Sequence, residues 1–267
     1  MKQTPKPPGL HLHGLTLRYE GRPLFEGLAL RVPAGRCVAL LGASGVGKTS
    51  LLRIAAGLET PDAGVVEADD GQALAPRIAW MGQQDLLYPW ARALENVTLG
   101  SRLRGQRPDH ARAMALLEAV GLAGRERALP KELSGGMRQR VALARTLYED
   151  RPVVLMDEPF SALDAITRAQ MQTLAATLLA GRTMLLITHD PLEACRLGHS
   201  LHVMAGQPAR LGPAITVPGT PPRAPDDEAL LHTQAELLRA LLAGQGAMSR
   251  VLRPLGTCAG LVALWWG

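Results

Sequence analysis

The stretch Gly42-Ala43-Ser44-Gly45-Val46-Gly47-Lys48-Thr49 constrains this chain more than any other, because it fits the phosphate-loop pattern G-x-x-x-x-G-K-[ST] without a mismatch. The apolar run Cys37 to Leu41 before it predicts a buried strand, and Ser50 to Ala56 after it predicts a helix. That is the strand, loop and helix context the pattern requires. The glycines let successive backbone N–H groups turn inward around phosphate oxygens at a helix N-terminus, where the helix dipole favours negative charge. Lys48 then supplies a point charge to the outer phosphates and Thr49 a hydroxyl to Mg²⁺. Candidate nucleotide contacts are therefore Gly42, Ala43, Ser44, Gly45, Val46, Gly47, Lys48, Thr49 and Ser50.

A chain of 267 residues buries a substantial core, enough for one large domain or a domain with a subdomain. The net charge is +5, but the 29 Lys and Arg are scattered and aromatics make up only 3%, so no nucleic-acid partner is expected. Cys37, Cys195 and Cys258 have neither paired nor metal-like spacing, which reads as thiols of a reducing compartment, the cytoplasm. Residues 1–9 carry Lys2, Lys6 and several prolines but no apolar core, so they predict a short disordered arm rather than a signal peptide.

Partial alternation over Leu10 to Tyr19 and again over Leu28 to Val32 predicts antiparallel strands with one wet face. His11 and His13 fall opposite the leucines, as solvated positions. Tyr19 ends the first strand before a Gly-Arg-Pro turn, where its ring either stacks on a nucleotide base or packs on the sheet edge; the pattern leaves both open. Strands are predicted at Gly64 to Ala68 and Arg77 to Met81. A helical block then follows, with Leu94 to Leu99, Pro108 to Val120 and Gly136 to Leu147 at helix-like spacing, as expected of a helical subdomain over about 84–150. On the last of these, Arg138 and Arg140 read as a solvated helix face.

The apolar run Pro152 to Met156 leads directly into Asp157-Glu158-Pro159. In a parallel sheet, ligands bind beyond the carboxyl ends of the strands, which brings Asp157 to the phosphate loop if the two strands are neighbours. A metal wants a carboxylate there, and hydrolysis wants a second group to orient or deprotonate water. After a helix over Ala165 to Leu179, the strand Thr183 to Ile187 ends in Thr188-His189-Asp190, so His189 reaches the same sheet edge.

Together these elements resemble the nucleotide-binding subunit of an ABC transporter over roughly Leu10 to Leu211. The fold so implied is α/β: a phosphate-loop NTPase core with a mainly parallel sheet, an N-terminal antiparallel β-subdomain and an inserted helical subdomain. Leu133-Ser134-Gly135-Gly136-Met137-Arg138-Gln139-Arg140 is similar to the ABC signature, and Val153 to Glu158, Ser161-Ala162-Leu163-Asp164 and His189 fit the same family. The resemblance implies the cofactors ATP and Mg²⁺. It implies that Tyr19 stacks on adenine, that Gln83 contacts Mg²⁺ or the attacking water, that Asp157 supports Mg²⁺, that Glu158 is the catalytic base and that His189 holds the γ-phosphate. Adjacent Gln84 stays open as the alternative to Gln83. Family members pair head to tail, so Ser134, Gly135 and Gly136 of a second copy would close over ATP, with Asp164 communicating across the contact.

The segment Asp85-Leu86-Leu87-Tyr88-Pro89-Trp90, with Met137 to Arg140, resembles the branch serving nitrate, sulfonate, taurine and thiamine-precursor uptake. That implies an energy-coupling ATPase of a binding-protein-dependent importer, peripheral at the cytoplasmic face of the plasma membrane, with transmembrane permease subunits as partners and a solute-binding protein as an indirect one. The alternatives are the ATPase of an exporter or lipoprotein-release system, and a soluble ABC ATPase acting on nucleic acid. After the family pattern, residues 212–247 read as a Pro-rich linker and a helix over Asp226 to Ala243. Residues 248–267 read as a basic then apolar tail. Its run of about a dozen apolar residues covers only ~18 Å as helix and cannot span a bilayer alone. The start of a truncated permease, a membrane-surface anchor and a core strand are the three readings of that tail.

Overall fold

Strand alternation organises the first thirty residues of the computed structural model, which describes residues 7–251. Leu10, Leu12, Leu15 and Leu17 of β1 (Leu10–Tyr19) are buried. His13 is exposed beside Glu67, as expected of the outer face, whereas His11 is half-buried with its Nε2 shielded from solvent rather than solvated. A two-residue turn, Glu20-Gly21 with φ of 51° and 76°, returns the chain into β2 (Arg22–Val32). Positive φ at both central residues gives the twist that a tight hairpin needs. The second strand thus begins six residues before the alternation resumes at Leu28, because Pro23 and a left-handed Gly27 interrupt the pattern without ending the pairing.

Next come β3 (Cys37–Gly42), α1 (Lys48–Ala55), β4 (Ala63–Ala68) and β5 (Ile78–Met81). The stretch between β5 and the next strand is helical: α2 (Ala93–Val97), α3 (Leu99–Leu103), α4 (His110–Ala119) and α5 (Gly135–Tyr148). The single helix expected over Leu94 to Leu99 is two, divided at Thr98, whose hydroxyl donates back to the Leu94 carbonyl (3.0 Å), a bond that competes with the helix ladder. The chain then runs through β6 (Val153–Asp157), α6 (Ala165–Leu178), β7 (Thr183–Ile187), α7 (Pro191–Leu197), β8 (Ser200–Gly206), β9 (Ala209–Leu211), β10 (Ile215–Thr216) and α8 (Glu228–Val251).

One sheet of ten strands carries all of this, in the order β4-β1-β2-β9-β8-β3-β7-β6-β5 with β10 on β8. The strands β8, β3, β7, β6 and β5 are parallel, and β1, β2 and β4 form the antiparallel part. The central strands bury alternate residues on opposite sides. Cys37, Ala39, Leu41, Val154, Met156, Met184 and Leu186 face α5, α6 and α7, whereas Val38, Leu40, Val153, Leu155, Leu185 and Ile187 face α1 and the antiparallel strands. Burial on both faces is why these strands read as unbroken apolar runs.

At the N-terminus the arm expected over residues 1–9 is held at its end. Pro8 and Gly9 are buried, the Pro8 carbonyl accepts from the Thr183 hydroxyl (2.6 Å) and the Gly9 carbonyl from Asp69 N–H (3.2 Å). The stretch expected to be a Pro-rich linker is pinned by Arg223, whose buried guanidinium donates to the carbonyls of Cys195 (2.9 Å) and Gly198 (2.8 Å) at the end of α7 and of Val217 (2.9 Å). Helix α8 packs on β8 and α7 through Leu230 and Leu237, and it continues past residue 247, so Gly244-Gln245-Gly246 does not break it. The expected apolar tail lies outside the described residues from 252 onward.

Candidate active site

The phosphate-binding loop is shaped by close approach. Gly42 has φ of 152°, and any β-carbon there would run into the Met204 carbonyl on neighbouring β8; at Gly47, φ 107°, it would meet Leu24 at 2.9 Å. Only glycine fits either position. Among the described residues, no protein group accepts from the backbone N–H groups of Ser44, Gly45 or Gly47, so the loop presents free donors at the N-terminus of α1. Lys48 is only 8% exposed, and its ammonium donates to the carbonyls of Gly42 (2.9 Å) and Ala43 (2.8 Å). Burial lowers its pKa, an effect that the charges of Glu158 and Asp157 partly oppose.

β7 lies between β3 and β6, so the strands bearing the loop and Asp157 are not neighbours. The two meet nevertheless, because α1 crosses over β7 and β6: Thr49 Oγ1 donates to Asp157 Oδ2 at 2.8 Å. Asp157 is buried, which raises its pKa, while the Thr49 hydrogen bond opposes the rise. Next in sequence, Glu158 holds φ of 47°, a left-handed backbone that costs a non-glycine residue energy and that clusters at functional sites. Its N–H donates to the Ile187 carbonyl (2.9 Å), fixing it at the end of β7. Glu158 Oε2 accepts from Gln83 Nε2 at 3.2 Å and stands 3.3 Å from His189 Nδ1. Gln83 makes this contact, and among the described residues the Gln84 side chain makes no hydrogen bond. The oxygens of Thr49, Asp157 and Gln83 are hard donors that suit Mg²⁺. No group of three or more His, Cys, Asp or Glu suited to a metal occurs among the described residues.

Beside the loop opens a cavity of about 660 Å³ lined by Tyr19, Arg22, Pro23, Leu24, Ser44, Gly45, Val46, Gly206, Gln207 and Pro208. Tyr19 is half-exposed there. Its hydroxyl bonds Glu59 and Ser50 (3.1 Å), and the Glu59 bond chiefly raises its pKa. Ser50 therefore anchors the tyrosine. The far wall, Gly206 to Pro208, lies in the β8–β9 turn, which no sequence motif marked.

Ser134, Gly135 and Gly136 lie at the start of α5, which packs on α2, α4, β5 and α6. No hydrogen bond joins them to the phosphate loop among the described residues. Ser134 caps α5, accepting from Met137 N–H at 3.3 Å, and Asp164 caps α6, accepting from Thr167 N–H at 3.0 Å, which holds its carboxyl below the usual pKa. Arg138 and Arg140 are not a solvated face. Arg138 pairs with Asp85 at 2.9 Å and Arg140 donates to the carbonyls of Val120 and Gly121. Arg145 donates to the carbonyls of Asp85 (2.7 Å) and Leu86 (2.9 Å), so α5 grips the segment after Gln83. Buried Gln139 donates to the Pro159 carbonyl (3.0 Å), tying α5 to the Glu158 loop. The gripped segment leaves Leu86, Tyr88 and Trp90 exposed, with Trp90 at 74%.

Comparison with known proteins agrees with this geometry. The family model described as ABC transporter matches residues 25–161. Aliphatic sulfonates import ATP-binding protein SsuB 1 of Rhodococcus jostii is 45% identical over 243 residues, covering 90% of this chain and 96% of that protein. Taurine import ATP-binding protein TauB of Yersinia pestis bv. Antiqua is 42% identical over 208 residues, covering 76% and 82%. Among solved structures, the ATP-binding cassette MJ0796, a dimer in a post-hydrolysis state bound to ADP and Pi, superposes with a TM-score of 0.71 at 28% identity, covering 79% of this chain and 99% of that one. With a phosphate cradle, a carboxylate pair and a histidine converging on one sheet edge, and relatives of this similarity spanning most of its length, the chain belongs to the ABC transporter family.

Proposed function

We propose that this chain is the ATP-hydrolysing, energy-coupling subunit of a binding-protein-dependent importer whose solute is a small organosulfonate. The observation that carries the reading is the convergence of free loop amides and Lys48, the Thr49–Asp157 hydrogen bond and the Gln83–Glu158–His189 cluster. Phosphoryl transfer to water needs charge neutralisation and positioning more than covalent chemistry, and these residues supply both. The free loop amides of Ser44, Gly45 and Gly47, with Lys48, hold the phosphates. Glu158 takes the proton of the attacking water, Gln83 orients that water, and His189 holds the γ-phosphate. Thr49, Asp157 and Gln83 would hold Mg²⁺, which would supply charge neutralisation at the phosphate oxygens. Tyr19 stacks on the base at the mouth of the cavity it lines.

Each site is completed by a second copy, which contributes Ser134, Gly135 and Gly136, with Asp164 at the contact. Two observations support this: these residues hydrogen-bond nothing in their own phosphate loop among the described residues, and the similar MJ0796 cassette is dimeric. The exposed Leu86-Tyr88-Trp90 surface is the seat for the permease subunits, and the solute-binding protein acts through them. No helix among the described residues is long and apolar enough to cross a membrane; the place proposed for the subunit, peripheral at the cytoplasmic face, follows from the import ATP-binding proteins it resembles. The solute class follows the sulfonate and taurine importers it resembles.

The test is reconstitution of this chain in vesicles with permease subunits of a sulfonate importer. ATP hydrolysis is expected to rise when the cognate solute-binding protein is added with a sulfonate or taurine, and the solute to accumulate. Stimulation that needs no binding protein, with solute leaving the compartment that receives it in import, would make the chain an exporter ATPase instead.

A further inference from the structure

The turn that carries His189 is braced from behind by a buried polar seam between α6 and α7. Asp190 N–H donates to the Thr188 hydroxyl (3.0 Å), and Asp190 Oδ1 accepts from Leu192 N–H (2.9 Å), so the turn and the start of α7 form one rigid unit. From α6, Arg168 reaches both ends of the site. It donates to the carbonyls of Phe160 (3.3 Å) and Leu163 (2.9 Å) in the segment after Glu158, and stands 3.6 Å from Asp190. One helical turn later, Gln172 donates to Glu193 Oε2 (3.3 Å) and accepts from Arg196 (2.6 Å). Glu193 is only 3% exposed, and its Oε1 has no hydrogen-bond partner among the described residues.

We propose that Glu193 is a positioning residue for His189, fixing the Thr188–Asp190 turn in register with α6 and thereby with the Glu158–Asp164 segment. A buried carboxyl with one oxygen unpartnered among the described residues stabilises a fold less than an apolar side chain of similar size, so stability alone does not account for it. Buried ionisable groups next to a cleft are instead a mark of functional sites. Burial and the neighbouring Asp190 push the Glu193 carboxyl up to about 8, while the Gln172 hydrogen bond and the Arg168 charge pull it down. At neutral pH it is therefore chiefly a neutral acid, which the amide of glutamine reproduces in shape and charge. Glu193 touches none of the reacting atoms; it acts through the placement of His189, and this rests on the assignment of His189 to the γ-phosphate.

The test is steady-state Mg-ATP hydrolysis by the full chain and four variants, Glu193→Ala, Glu193→Gln, His189→Ala and the Glu193→Ala/His189→Ala double. Misplacement of a catalytic group costs about 10- to 100-fold. Glu193→Ala is expected to lower kcat by that factor with KM for ATP little changed, Glu193→Gln to restore most of it, and the double variant to be no slower than His189→Ala alone. Losses that multiply in the double variant, or a Glu193→Gln as impaired as Glu193→Ala, overturn the positioning role while leaving His189 in place. A His189→Ala variant of parental activity overturns the His189 assignment itself, and this inference with it. Should Glu193→Ala not fold, Thr188→Val against Thr188→Ser reads the same seam: the valine is expected to share the kcat loss and the serine to retain activity, and equal activity of the two counts against the proposal.

Discussion

The hydroxyl of Thr49 donates a 2.8 Å hydrogen bond to Asp157 Oδ2, although β7 separates the strand that feeds the phosphate loop from the strand that ends in the carboxylate. The bond couples the loop to the acid pair. If both atoms ligate Mg²⁺, Thr49→Ala removes one ligand and leaves a buried carboxylate without its donor. The Mg²⁺ concentration for half-maximal ATPase activity is then expected to rise by about 10-fold or more, and the fold to lose about 1–3 kcal/mol. Thr49→Ser keeps both. A titration of activity against Mg²⁺ that is superimposable for Thr49→Ala and the parent would remove Thr49 from the metal's ligands.

Binding and chemistry are separable at Lys48 and Glu158. Glu158→Gln keeps the shape of the side chain that meets Gln83 and His189 but cannot take a proton, so kcat is expected to fall by about 10²–10⁴-fold with ATP still bound. Lys48→Ala deletes a charge-assisted contact, and ATP affinity is expected to drop by about 10-fold or more. Equilibrium binding of a fluorescent ATP analogue, alongside turnover, distinguishes the two failures. Near-parental hydrolysis by Glu158→Gln would mean that another group is the base.

The parts of this site legible in the sequence are those where chemistry restricts residue type at fixed spacing. Gly42 and Gly47 must be glycine because Met204 and Leu24 approach their α-carbons, and β3, β6 and β7 announce themselves because both faces are buried. The bracing behind the site was not legible. Gln139, Gln172, Glu193, Arg196 and Arg223 are polar residues at core positions, and a sequence pattern assigns such residues to the surface. Arg138 and Arg140 look solvated in the sequence for the same reason, since their partners Asp85 and Val120 are distant in sequence. Helix α7 opens on Pro191 with only seven residues, β8 and β9 pair with β3 and β2 across long stretches of sequence, and β10 is only two residues long. Arg223 sits in a stretch whose prolines suggest a linker, yet its hydrogen bonds make that stretch part of the fold.

Completion of each site by a second copy predicts a concentration dependence. Ser134 and Gly136 make no hydrogen bond to their own phosphate loop among the described residues, so in the proposed arrangement a lone chain holds ATP without the donors that α5 of another copy would bring. Turnover per chain is expected to rise steeply with protein concentration and then level off as the dimer saturates. Ser134→Ala mixed with Glu158→Gln is also expected to recover activity, because one of the two composite sites in the mixed dimer combines an intact signature with an intact base. Turnover that stays flat from nanomolar to high micromolar protein, with sedimentation showing a monomer throughout, contradicts the composite site.

Glu193 predicts a pH dependence of stability whose sign is fixed by the direction of its shift. Its carboxyl is raised from the ordinary 4.5 to about 8, chiefly by burial. Below the unfolded value, both states hold the proton and the buried neutral acid is favourable. As pH rises through the window between the two values, the unfolded chain releases its proton while the native chain keeps it, so native stability falls by about 1.4 kcal/mol per pH unit, on the order of a few kcal/mol in all. Above the folded value both are ionised and the loss is complete. Glu193→Gln does not titrate, while Asp190, Arg168 and Arg196 remain in both proteins and cancel in the comparison. The melting temperature of the parent is therefore expected to decline relative to Glu193→Gln between about pH 5 and pH 8 and then to run parallel to it. Scanning calorimetry across that range decides the matter: curves that run parallel from pH 5 to pH 8 would show that the Glu193 carboxyl is not raised in the native seam.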